Sequence, residues 1–114
     1  MCMPVISIII VSYNSEKYIA SCLDSILAQD AKDYEIIVVD NASEDKTAPF
    51  IKSKYTGCLL VENRANYGVC RARNQGIAIA RGEFILCLDS DVILEENFIS
   101  ASYQAINGRE GVGA

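Results

Sequence analysis

Three groups of polar residues in this chain each stand directly behind an apolar run, and their types suit the capture of a phosphate through a metal ion. The clearest is Asp89-Ser90-Asp91, which follows Phe84-Ile85-Leu86-Cys87-Leu88. A short apolar run of this kind fits a strand buried on both faces. Burying an unpaired charge is costly, so both carboxylates belong just past the strand end. Open α/β sheets bind their ligands at the carboxyl ends of the strands. Two carboxylates there, in a chain that contains no His, suit Mg2+ or Mn2+, hard cations that accept oxygen ligands and share phosphate oxygens. A competing reading makes Asp89 a turn residue and Asp91 a helix cap, both common roles for Asp.

The second group is Ser12-Tyr13-Asn14, behind the run Val5 to Val11, and the third is Asp40-Asn41, behind Glu35 to Val39. If these strands lie side by side, all three groups face one crevice. Tyr13 could then stack on a base. Asp40 could accept a hydrogen bond from a base N–H or a ribose hydroxyl. Ser43 reads as the cap of the next helix. The stretch from Asn66 to Asp91 places Gly68, Ala72, Gly76, Ala78 and Ala80 along a helix. A helical Gly costs about 1 kcal/mol relative to Ala, so Gly76 implies close approach to the sheet or to a ligand. Arg71 and Arg73, two apart, must point in different directions. Asn74 follows Arg73, which favours Arg73 as the pocket-facing member of the pair.

The elements that position these groups alternate in type. Strands are predicted over Val5–Val11, Glu35–Asp40, Cys58–Val61 and Glu83–Leu88, where β-branched and apolar residues dominate. The first helix runs from a cap at Asn14 or Ser15 to about Gln29, with Ile19, Cys22, Leu23, Ile26 and Leu27 on one face. The second starts at Ser43, with Glu44 and Asp45 in its first turn and Pro49 early. The third spans Asn66 to Ala80 and is stopped by Gly82. The fourth spans about Glu95 to Ile106, with Gly108 as its stop. Helices between buried strands impose right-handed crossovers, so the fold class is α/β, a doubly wound and mainly parallel sheet with helices on both faces. Residues 1–114 read as one domain. Gly111-Val112-Gly113-Ala114 suits the start of another strand, so the domain reads as truncated.

With 51% hydrophobic and 22% charged residues the chain is expected to fold. A net charge of −5 argues against nucleic acid and anionic membrane surfaces as partners. A phosphate must then be met by a metal and by backbone amides, not by a basic field. The five Cys include no C-x-x-C, which argues against zinc. Cys22, Cys70 and Cys87 fall in apolar patterns and read as small core residues of a reducing compartment. Val5–Val11 is too short to span a bilayer and has neither a basic leader nor a cleavage site. The expected location is cytoplasmic, with membrane association only through a region of a longer parent, at the membrane's inner face.

Taken together, the landmarks Val11-Ser12-Tyr13-Asn14, then Val39-Asp40-Asn41-Ala42-Ser43 with Asp45 and Thr47, then N-x-G-x-x-x-A-R-N-x-G-x-x-x-A-x-G-x-x-x-x-x-L-D-x-D from Asn66 to Asp91, resemble the N-terminal, nucleotide-sugar-binding half of a family 2 glycosyltransferase with the Rossmann-like GT-A fold. The resemblance covers nearly the whole chain. It implies a nucleotide-sugar donor, with UDP the family's commonest nucleotide. Ser12 and Tyr13 would line the base pocket, Asp40 would contact base or ribose, and Arg73 and Asn74 would lie near the nucleotide. Asp91 would bind the divalent metal, Mn2+ or Mg2+. Asp89 would contact ribose, sugar or the metal's shell. The metal would act as a Lewis acid on the diphosphate leaving group. The acceptor would be a saccharide, polysaccharide or lipid-linked molecule, and transfer would invert the anomeric centre. The general base is expected beyond residue 114, so no catalytic residue is assigned within this chain. The missing acceptor half implies donor and metal binding with weak or no transfer. The incomplete sheet would leave an open edge, and a homo-oligomer is the expected consequence.

Other classes fit less well. A phosphoryl-accepting receiver module would use Asp40 as acceptor, but its first strand should end in an acidic pair and not in Ser-Tyr-Asn. A dinucleotide-dependent oxidoreductase needs a G-x-G-x-x-G loop, and Val11 to Lys17 contains no Gly. A noncatalytic nucleotide-binding or interaction domain remains as the alternative.

Overall fold

A computed structural model describes residues 4–30 and 32–108. Its elements alternate as β1 (Ile6–Ser12), α1 (Ile19–Leu27), β2 (Tyr34–Asp40), α2 (Thr47–Lys54), β3 (Leu59–Glu62), α3 (Val69–Ile79), β4 (Phe84–Asp89) and α4 (Phe98–Gly108). The sheet order is β3-β2-β1-β4 and every pair is parallel. The doubly wound class expected from the sequence is therefore the observed one. Gly111 to Ala114, expected to begin a further strand, lie outside the described residues.

The β-branched run of β1 occupies the centre, and its side chains are buried on both faces. Ile6, Ile8 and Ile10, with Ile36 and Val38 of β2, face Ile19, Cys22, Leu23 and Ile26 of α1, Ile51 of α2 and Ile99 of α4. Ile9, Ile37 and Val39 face Ala72 of α3. The buried residues of α3 are Ala72 and Gly76. A Cβ on Gly76 would stand 2.6 Å from Ile9 Cγ2 and 3.4 Å from Val39 Cγ2. Close seating of α3 on β1 and β2 is thus the reason for a helical glycine.

All four helices start later than the sequence expectation, α4 at Phe98 and not at about Glu95. Before α1, the Ser15 carbonyl accepts from the Tyr18 and Ile19 N–H groups in a separate turn, and the Asn14 and Ser15 side chains bond elsewhere. The helix α2 begins at Thr47, whose N–H and hydroxyl both donate to Asp45 Oδ1, so Ser43 does not cap it. The helix α3 begins at Val69, behind Gly68 at φ 87°. Leu27, expected on the apolar face of α1, is exposed.

The expectation for β4 is also corrected. Phe84, Leu86 and Leu88 pack on the α1 side, but Ile85 is 41% exposed and Cys87 is exposed on the opposite face. The cause is geometric: α3 packs on β1 and β2, and β4 lies at the end of the sheet beyond it. Cys70, on α3, is exposed as well. Of the three cysteines read as core, Cys22 alone is buried.

At the amino end of the sheet, a polar clasp joins α3, β1, β2 and β4. Ser7 Oγ donates to Glu35 Oε2 at 2.5 Å. The Arg81 N–H donates to the same carboxylate at 2.6 Å, and the Gly82 N–H donates to Ser7 Oγ at 2.7 Å. Burial raises the Glu35 pKa, but the Ser7 hydroxyl, the Arg81 N–H and the Arg81 guanidinium outweigh it and hold it below the usual 4.5. A carboxylate with a depressed folded pKa stabilises the fold above its unfolded pKa and loses that contribution as pH falls through the folded one. The wild type should therefore unfold at lower urea concentration as pH falls below about 4.5. Glu35→Gln should start less stable at pH 7 and lose less over the same acid range. Parallel pH profiles of the two proteins would disprove the assignment.

Among the described residues no helix is long and apolar enough to cross a membrane.

Candidate functional site

The sheet order places the carboxyl ends of β2, β1 and β4 side by side. Ser12 pairs in register with Asp40, and Val11 with Asp89. The three polar groups singled out in the sequence therefore do meet at one sheet edge.

Asp40 is 2% exposed. Its Oδ1 accepts from Ser12 Oγ at 2.7 Å and Ser43 Oγ at 2.6 Å, and its Oδ2 accepts from the Ser43 N–H at 2.9 Å. A carboxylate has about four acceptor positions, and this one has a single position on Oδ2 left for a ligand. Ser12 is fully buried beside it, so its hydroxyl holds Asp40 and does not line an open wall. Tyr13, in contrast, is 44% exposed and offers its ring at the surface. The loops after β1 and β2 are bonded across to one another. The Asn14 N–H donates to Ser43 Oγ and the Glu44 N–H donates to Asn14 Oδ1, both at 2.8 Å. This geometry requires left-handed backbone at Asn14 (φ 49°) and Ala42 (φ 61°). Asn tolerates that region, whereas Ala pays about 1–2 kcal/mol for it. Strain of this kind is characteristic of functional loops.

Behind this cluster lies a set of amides. Asn41, also buried, donates to the Gly68 carbonyl and accepts from Asn63 Nδ2 and the Tyr67 N–H. Asn63 and Gln75 bond reciprocally at 2.8 and 2.9 Å. These bonds fix where α3 begins relative to β2. On α3, Arg71 lies over the Tyr67 ring at 4.5 Å. Arg73 is half-buried and Asn74 exposed. The two arginines do part company, as their spacing requires, and Arg71 is the one engaged with an aromatic ring.

Asp89 and Asp91 differ from Asp40 in every respect. Both are exposed. The ion pairs among the described residues, Lys52–Glu62 and Arg81–Glu35, lie elsewhere, so neither carboxylate has a cationic partner there. Among the described residues no group of three His, Cys, Asp or Glu could hold a metal ion. Two unpaired carboxylates fit a Mg2+- or Mn2+-type ion that draws its remaining ligands from phosphate and water. They do not fit an ion held wholly by protein.

The segment carrying these carboxylates is fastened along α1. Cys22 Sγ donates to the Asp89 carbonyl at 3.8 Å, and burial, with the charge of Asp91 second, pushes its pKa to about 11. Ser25 Oγ accepts from the Leu94 N–H at 3.0 Å. Buried Gln29 donates to the Glu95 carbonyl and accepts from the Ile99 N–H, and the Asp30 N–H donates to the Glu96 carbonyl. Sequence reasoning missed Ser25, Gln29, Asn63 and Gln75 as site-building residues, and read Ser15 only as a helix cap. One signal was present: Gln29 falls three residues after Ile26, on the apolar face of α1.

A parallel sheet wound on both sides, with polar loops gathered at the carboxyl ends of β1, β2 and β4, defines a doubly wound α/β domain with its candidate ligand edge at those ends. The model of glycosyl transferase family 2 matches residues 7–112, and the chain belongs to that family. It is 36% identical to "Glycosyltransferase GlyG" of Streptococcus pneumoniae over 110 residues, which cover 92% of this chain and 36% of that protein. The crystal structure of S. aureus TarS 1-349 in complex with UDP superposes with a TM-score of 0.86 at 30% identity, covering 93% of this chain and 33% of that one. The mannosyltransferase PcManGT from Pyrobaculum calidifontis, in complex with GDP-Man and Mn2+, gives 0.70 at 30% identity over 82% of this chain and 29% of that one. The chain thus spans about a third of the length of these relatives.

Proposed function

We propose that this chain forms the donor side of a glycosyl transfer, binding a nucleotide-diphosphate sugar, UDP-linked in first preference, with Mn2+ or Mg2+. The observation that carries the reading is the contrast among three neighbouring carboxylates. Asp40 is buried and nearly saturated by Ser12 and Ser43, which suits a fixed acceptor that recognises one base or ribose donor. Asp89 and Asp91 are exposed and unpaired among the described residues, which suits a cation. Tyr13 supplies a ring for the base, and half-buried Arg73, with Asn74 beside it, flanks the nucleotide. The similarity to structures solved with UDP and with GDP-Man and Mn2+ supports the same assignment.

When bound, the divalent ion would supply Lewis-acid neutralisation of the diphosphate. Asp91, with Asp89, would hold it. Neither carboxylate suits the role of general base, because a ligated carboxylate is a poor proton acceptor. Deprotonation of the acceptor, a saccharide, polysaccharide or lipid-linked molecule, then falls to a residue outside these 114, with inversion at the sugar. The alternative is a noncatalytic nucleotide-binding domain, which the same site would also make.

Titration calorimetry with UDP, in the presence and absence of Mn2+, tests the reading. Binding at least about tenfold tighter with Mn2+ is the expected result. Folded protein that takes up neither UDP, GDP nor dTDP would overturn it.

A further inference from the structure

The two halves of the proposed site, the Tyr13 loop and the Asp89–Asp91 loop, belong to different strands, yet a single hydroxyl touches both. Ser15 Oγ lies 2.6 Å from Ser90 Oγ. It also accepts from the Tyr13 N–H and donates to the Tyr13 carbonyl, each at 3.3 Å. Ser15 is 3% exposed, and its own N–H donates to Thr47 Oγ1 at 3.0 Å. Thr47 is fully buried and donates in turn to Asp45 at 2.5 Å. A hydroxyl has one proton and two lone pairs. The arrangement that completes every contact has Ser90 donating to Ser15, so that the Ser15 proton reaches the Tyr13 carbonyl. The reverse arrangement would forfeit that last bond. Ser90 stands between the two carboxylates, so the bond that holds its side chain to Ser15 restrains the backbone from which Asp89 and Asp91 project.

We propose that Ser15 is a positioning residue that couples the nucleotide loop to the metal loop through Ser90. The inference rests on the donor-site reading above. It adds that occupancy of one loop favours the ligand-ready form of the other, because the two share one buried hydroxyl anchored to α2 through Thr47. Asp40, Asp89 and Asp91 would contact the ligands. Ser15 would contact none of them.

The test is a double-mutant cycle on the 114-residue chain, using UDP affinity with and without Mn2+ for the wild type, Ser15→Ala, Ser90→Ala and the double variant. Coupling free energies carried by single residues correspond to effects of roughly 2- to 30-fold. Each single variant should therefore cut the Mn2+-dependent gain in UDP affinity about fivefold or more; Ser90→Ala should leave Mn2+-free affinity within about twofold, whereas Ser15→Ala, which also releases the Tyr13 loop, should lower it. The double variant should lose no more than the worse single one, since both remove the same bond. Ser90 is only half-buried, so Ser90→Ala keeps the test open if Ser15→Ala folds poorly. An unchanged Mn2+ gain in the folded single variants, equal losses with and without Mn2+, or losses that multiply in the double variant would each overturn the coupling and leave the donor site standing. A wild type with no Mn2+ gain would overturn both.

Discussion

Asp91→Ala is expected to abolish the Mn2+-dependent part of UDP binding, a loss of at least about 100-fold at saturating metal, because changes merely behind a metal ligand already cost 10- to 100-fold. Mn2+-free affinity should stay within a few fold, since Tyr13 and Asp40 stand on other strands. The melting temperature should not fall, because Asp91 is exposed and takes part in neither ion pair of the described residues. Calorimetry and a thermal melt on the same sample check all three. A variant that keeps its Mn2+ dependence would move the metal site away from Asp91. Asp89→Ala should lose less if Asp89 reaches ribose or sugar as well as the metal.

The second large effect concerns stability. Gly82→Ala would place its Cβ 2.5 Å from the Ser7 nitrogen and 2.8 Å from the Ile6 carbonyl carbon. Both are backbone atoms at the start of the central strand, so no side-chain rotation relieves the clash. Overpacking typically costs 1–3 kcal/mol. Here the shift also breaks the Gly82–Ser7–Glu35 bonds, and a loss of about 3 kcal/mol or more in urea unfolding is expected. Gly76→Ala provides the comparison. Its nearest contact is Ile9 Cγ2, a side-chain methyl, and the helix recovers about 1 kcal/mol of propensity, so it should be the milder change. Equal costs for the two would mean that the packing of α3, and not the β1 backbone, limits the fold.

The element order and parallel topology were legible in the sequence because they rest on periodicity and on long β-branched runs such as Ile8–Ile9–Ile10. The reason for Gly76 was legible too, since a helical glycine needs one. The convergence of Ser12, Asp40 and Asp89 was legible only on the condition that their strands lie side by side, and the strand order β3-β2-β1-β4 supplies that condition. Helix starts were less legible. Ser43 and Asn14 resemble caps, but Ser43 bonds back to Asp40 in its own loop and Asn14 accepts from Glu44 of the neighbouring loop. The burial of Ile85 and Cys87 was misread because an apolar strand looks alike whether or not a helix covers it. The amide set of Asn41, Asn63 and Gln75, and the grip of Gln29 on Ile99, join residues up to 70 positions apart, and no local pattern announces such partners.

The register of β1 with β4 has a kinetic consequence. β1 and β2 bond across a single helix, but Ile6 meets Phe84 only after two thirds of the chain has been gathered between them. Closing that loop costs chain entropy before any contact repays it. The loops after β1 and β2 can therefore take shape without β4, whereas the Asp89–Asp91 loop exists only once the long closure is made. Amide exchange should accordingly be faster along β4 than along β1 and β2. On the proposed donor-site reading, metal affinity should be the first property to fade in a weakened variant and uptake of the bare nucleotide the last.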